Sequence, residues 1–118
     1  MLPVAEFELL VENALRSIPW RFRRHMENVA IVVEQEPRRP GLLGLYEGRP
    51  LASRSVFEGF AMPDKITIYQ GPHERLARTR AQLEQIVADT VWHEIAHYFG
   101  MDEQRVRRAE RDRARRRG

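Results

Sequence analysis

HEIAHYFGMDE, residues 93–103, is the stretch on which the reading of this chain turns. His93-Glu94-Ile95-Ala96-His97 fits H-E-x-x-H, a short pattern that also occurs by chance, so its weight depends on what surrounds it. On a helix, residues four apart project from one face about a turn apart. Two imidazole nitrogens so placed reach a single ion at roughly 2.0–2.1 Å each. Glu94 stands roughly 100° around the helix from His93. There it reaches a water activated by the metal without filling a ligand position, and it can take a proton from that water and pass it to a leaving amine. Without a metal, two histidines and a glutamate would be desolvated on a buried helix with no partner to offset the cost.

Two histidines do not hold a catalytic metal alone, and the missing ligand is expected beyond Gly100. A glycine directly after a helix suits a left-handed cap that turns the chain sharply. The reversal brings Asp102 and Glu103 within range as candidates. In the extended pattern H-E-x-x-H-x-x-G-x-x-H the third ligand stands ten residues after the first histidine, which here is Glu103. Asp102 is one short and better placed to cap the next helix, DEQRVRRAERDR. Glu103 is therefore favoured over Asp102, giving two histidines and a carboxylate with one position open, as a catalytic zinc site requires.

The motif belongs to a longer pattern. HERLARTRAQLEQIVADTVWHEIAHYF contains no Gly or Pro and is rich in helix formers. HERLAR reads as a separate helical turn and about 79–99 as one long helix. Leu83, Val87, Val91, Ile95 and Tyr98 share an arc flanked by Ala88, Trp92 and Phe99, so this helix is apolar nearly all round at its end and reads as central. Ile86 and Thr90 share the histidine face and bring no charge to it.

Upstream, Phe7, Leu10, Val11, Ala14, Leu15 and Ile18 recur at helical spacing and predict a helix over about 3–17. PWRFRRHMEN reads as a short second helical turn. NVAIVVEQEP predicts a buried strand over about 28–35, GLLGLYEG a second over 42–47, and DKITIYQG a third over 65–69. PLASRSVFEGFAMP is irregular, with a turn or short strand around 54–60. The fold class is α+β, a small, mostly three-stranded sheet packed on a long helix that carries the motif.

At 118 residues the chain has room for one small core. It has no cysteine, so a metal would have to be held by His, Asp or Glu. No apolar run reaches membrane length, and the acidic, amphipathic N-terminus does not read as a signal peptide. The expected setting is cytoplasmic, with no membrane partner. Charge is unevenly spread. Residues 105–118 hold eight Arg against Glu110 and Asp112, so +3 overall less their +6 leaves a body of −3. The domain is read as 1–104, with 105–118 an Arg-rich helical tail. Such a tail can attract nucleic acid, although charge runs at chain ends more often stay solvated.

With HEIAHYFGMDE, NVAIVVEQEP, GLLGLYEG and MPDKITIYQGP all present, the chain resembles the small bacterial zincin-like metallopeptidases, or minimal zincins. The resemblance spans nearly the whole chain. It implies a zincin-type α+β fold, a zinc site and peptidase activity on a peptide or protein substrate. The family's acidic third ligand falls on Glu103. The methionine turn of larger relatives has no counterpart, because the residues after Glu103 contain no Met and Met101 precedes it.

The leading reading is a zinc metallopeptidase with zinc on His93, His97 and Glu103 and with Glu94 as general base. Two others stand beside it: a metal-dependent hydrolase acting on RNA, and a non-catalytic interaction domain on the same scaffold. His25 reads as an exposed residue, His73 as a helix-start residue, and Tyr98, Trp92 and Phe99 as core. Tyr46 and Tyr69 read as strand packing, and Phe57–Asp64 is a candidate edge for binding an extended peptide.

Overall fold

The structure is a computed structural model describing residues 2–48 and 63–117. In chain order its elements are α1 (Val4–Arg16), α2 (Trp20–Arg23), β1 (Val29–Glu34), β2 (Gly44–Glu47), β3 (Asp64–Tyr69), α3 (Gln70–Leu76), α4 (Arg80–Tyr98) and α5 (Glu103–Arg117). The α+β class and the three-stranded sheet agree with the sequence reading. The turn or strand expected around 54–60 lies outside the described residues, as does most of the Phe57–Asp64 edge.

The sheet order is β1-β3-β2, with β1 parallel and β2 antiparallel to the central β3. In β3, Ile66, Thr67, Ile68 and Tyr69 are all buried, so both of its faces are covered. A strand paired on both sides and covered on both faces reads as a nearly continuous buried run. Asp64 opens this central strand, and its carboxylate accepts a hydrogen bond from the Tyr46 hydroxyl at 2.6 Å. Asp64 is therefore flanked by β1 and β2 and stands at no sheet edge.

Helix α4 runs through the middle, packed against α1, α3, α5, β2 and β3. Its start is set by Thr79, whose side chain accepts from Gln82 N, while Gln82 Oε1 accepts from Arg78 N. This is close to a capping box, and such a cap contributes about 1 kcal/mol. Leu83, Val87, Val91, Ile95 and Tyr98 are buried, joined by Phe7, Leu10, Val11 and Ala14 of α1. The Tyr98 hydroxyl donates to the carbonyls of His25 and Glu27, so the residue is core with a satisfied polar tip. Trp92 is only half-buried and is covered by the Arg113 guanidinium, 5.8 Å from its ring centroid. The His25 side chain is exposed, as expected.

Helix α3 begins at Gln70, directly after β3, with Pro72 in its first turn, a position where a missing N–H costs nothing. His73 is fully buried. Its Nδ1–H donates to Tyr69 O at 2.6 Å, so neutral Nε2 accepts from the Thr90 hydroxyl at 2.8 Å. The imidazole thus ties the β3–α3 corner to α4. Burial lowers its pKa below the ordinary 6.5, against the opposing pull of the Tyr69 carbonyl. Because the unfolded chain takes up the proton first as pH falls, His73 removes stability from about pH 6.5 downward, until its folded form also protonates. In urea unfolding with chelator present, this slope reaches at most about 1.4 kcal/mol per pH unit. His73→Gln should flatten the slope, and at pH 7.5 it should cost about 1–3 kcal/mol for the buried hydrogen bonds it disturbs.

Candidate metal centre

The C-terminus of α4 is closed by a Schellman motif. Gly100 has φ 94°, its N–H donates to His97 O at 2.9 Å, and Met101 N–H donates to Ala96 O at 3.1 Å. A left-handed residue here is cheap only for glycine. The turn sends the chain back toward the helix it has just left. Asp102 then caps α5 from the position before it, its Oδ1 accepting from Arg105 N at 2.8 Å. Glu103, the first residue of α5, points at the histidines instead. Of the two candidates from sequence, one carboxylate is spent on the helix cap and the other reaches the site.

Three side-chain atoms converge there. His93 Nε2 and His97 Nε2 are 3.3 Å apart, and Glu103 Oε1 lies 3.2 Å from the first and 3.0 Å from the second. A tetrahedral ion bound at roughly 2.0–2.1 Å separates its ligands by about 3.3 Å, so this triangle has the size of one face of such a site. The protonation pattern fits too. His97 Nδ1–H donates to Met101 O at 3.0 Å, and His93 Nδ1 faces Glu110 Oε2 at 3.1 Å. In the tautomer that carries both protons on Nδ1, two nitrogen lone pairs and a carboxylate oxygen meet at one point. A cation satisfies all three together. Among the described residues, His93, His97 and Glu103 form the group that could hold a metal ion.

The surrounding carboxylates favour positive charge at this point, a proton on His93 as well as a cation. Burial works against the charged form of His93, but Glu110, Glu94 and Glu103 outweigh it and raise its pKa. Glu103 is lowered: desolvation is the largest single influence and raises it, but the hydrogen bonds and attraction from His97 and His93 together prevail. Glu94 goes the other way. It is buried, and desolvation raises its pKa in spite of the two histidines and a backbone hydrogen bond from Tyr46.

Strand β2 forms the facing wall. A cavity of about 520 Å³ is bounded by Leu42, Gly44, Leu45 and Tyr46 on one side and by His93, Glu94, His97 and the turn Gly100–Glu103 on the other. Tyr46 therefore lines the cleft as well as packing in the sheet. The two sides approach closely at Gly44, where a Cβ would lie 2.8 Å from Thr90 Cγ2 and 3.1 Å from Glu94 Cγ. An adjoining cavity, lined in part by Ile86, Asp89, Thr90 and Glu110, extends the groove along α4.

Helix α5 runs unbroken across the 104/105 position at which the sequence reading ends the domain. Val106 is fully buried, Glu110 meets His93, and Arg113 binds Asp89 at 2.6 Å. Glu103, Val106, Glu110 and Arg113 are spaced three, four and three apart, so one stripe of the Arg-rich helix lies on α4. Glu110 is the site residue the sequence reading missed. Its signal was that spacing from Glu103, and an acidic residue standing among arginines.

A family model described as zincin-like metallopeptidase matches residues 26–113, a span that includes most of α5. Among solved structures, a conserved hypothetical protein from Thermus thermophilus is similar, with 28% identity and a TM-score of 0.54 over 81% of this chain and 92% of that one. No curated protein matches the chain. Among the described residues no helix is long and apolar enough to cross a membrane.

Asp102 and Glu103 are separable by substitution. Asp102→Ala should cost about 1 kcal/mol in thermal unfolding, as the loss of a helix cap does, and leave metal affinity near that of the parent. Glu103→Ala should change stability little without metal and sharply weaken zinc binding in competition with a chromogenic chelator. The reverse pattern would make Asp102 the ligand.

Proposed function

We propose that this chain, which belongs to the zincin-like metallopeptidase family, is a zinc-dependent peptidase with His93, His97 and Glu103 as its metal ligands and Glu94 as its general base. The carrying observation is the convergence of three ligand atoms, all within 4.8 Å of one another, beside a buried carboxylate. Two imidazoles and a carboxylate suit zinc, and the absence of cysteine excludes a thiolate site. When bound, zinc supplies Lewis-acid chemistry, polarising a carbonyl and lowering the pKa of water.

The chain's own residues supply the rest. Glu94 accepts a proton from the attacking water on its carboxylate and returns it to the departing amine nitrogen. Burial raises its pKa, which makes it a better base than an exposed glutamate. The Tyr46 N–H holds the carboxylate against β2, so the base is fixed relative to the wall along which a substrate lies. An extended peptide in the cavity between Gly44–Tyr46 and the histidines presents one bond to both groups.

Glu94→Gln keeps the size and hydrogen-bonding shape of the side chain and removes the base. Hydrolysis of a quenched-fluorescence peptide library should fall by roughly 10²–10⁴-fold, with zinc content unchanged by elemental analysis. Cleavage persisting at the parent rate would rule out Glu94 as the base.

A further inference from the structure

We infer that Glu110, within the Arg-rich helix, is a positioning residue for the metal site: it fixes the ring and tautomer of His93. The inference rests on the zinc reading above for its consequence, although its geometric premise is independent of that reading. Each histidine needs its Nδ1 proton directed outward if Nε2 is to offer a lone pair inward. For His97 the acceptor is a backbone carbonyl, Met101 O at 3.0 Å, provided by the turn at Gly100. His93 lies a full turn earlier on α4, out of reach of that turn. Its acceptor comes from α5, as Glu110 Oε2 at 3.1 Å. Glu110 is itself only partly exposed, seated over α4 between buried Val106 and the Arg113–Asp89 ion pair. A carboxylate so placed makes the imidazole a stronger donor to a cation and prevents the ring from turning.

Helix α5 thereby serves the site twice, with Glu103 at its start and Glu110 two turns on. The alternative is that Glu110 only helps to dock the helix. Arg113→Ala distinguishes the two, because it removes another tie between α5 and α4 without touching His93.

The test measures zinc affinity by chelator competition for the parent, Glu110→Ala, Glu110→Gln, Arg113→Ala and, as a control on the exposed face, Arg108→Ala. Glu110→Ala should weaken zinc binding by about 10–100-fold. Glu110→Gln, which keeps a carbonyl acceptor, should weaken it less, and the two arginine variants should stay close to the parent. In parallel, two-bond ¹H–¹⁵N correlations of the metal-free protein, at a pH where His93 is neutral, should show its proton on Nδ1. In Glu110→Ala that proton should shift toward Nε2. An unchanged tautomer in Glu110→Ala, or a loss of affinity in Arg113→Ala equal to that in Glu110→Ala, would overturn the inference. Should the parent bind no zinc, the zinc reading fails, and the tautomer measurement still decides the role of Glu110.

Discussion

The left-handed turn at Gly100 is the constraint on which the site depends. A helix ending in a buried environment leaves carbonyls without partners, and the Schellman bonds to His97 O and Ala96 O satisfy two of them. The same turn sets the direction of the chain, so that Glu103 comes back to face residues it has just followed. It also delivers Met101 O to His97 Nδ1. Capping, chain reversal, the return of Glu103 and the orientation of His97 are thus one event. A side chain with a Cβ at Gly100 would strain all four together.

The other half of the site has a different origin. Glu94 sits on α4, but the burial of its carboxylate comes from the sheet. β2 can lie against α4 because Gly44 presents no side chain where Thr90 and Glu94 approach. β2 is held in turn by β3, through its strand pairing and the Tyr46–Asp64 hydrogen bond. The central strand therefore acts on Glu94 at one remove, by fixing the wall that shields it from water.

Most of this was legible in the sequence because it was written in local pattern. The long helix, the histidine face, the glycine cap and the different placements of Asp102 and Glu103 all follow from spacing within a few turns. What escaped was long-range. That β3 is central and β2 forms the cleft wall depends on strand order, which periodicity does not encode. His73 reads from sequence as an ordinary helix-start residue, since nothing local shows Thr90 meeting its ring. The Arg-rich segment misled by composition: eight arginines suggest solvent, and the Glu103–Val106–Glu110–Arg113 stripe is visible only when charge is set aside and spacing is counted.

One consequence concerns chain entropy. The contacts among His93, His97, Glu103 and Glu110 join residues 4, 6, 10 and 17 positions apart, so every loop they close is short. Closing such loops costs little compared with bringing distant strands together. The groups that shield Glu94, by contrast, lie far back in the chain on β2. The convergence of His93, His97 and Glu103 is thus a local property of one helical hairpin, while the burial of Glu94 is a global property of the fold. The cluster and the shielded carboxylate therefore stand side by side only where the whole domain is assembled.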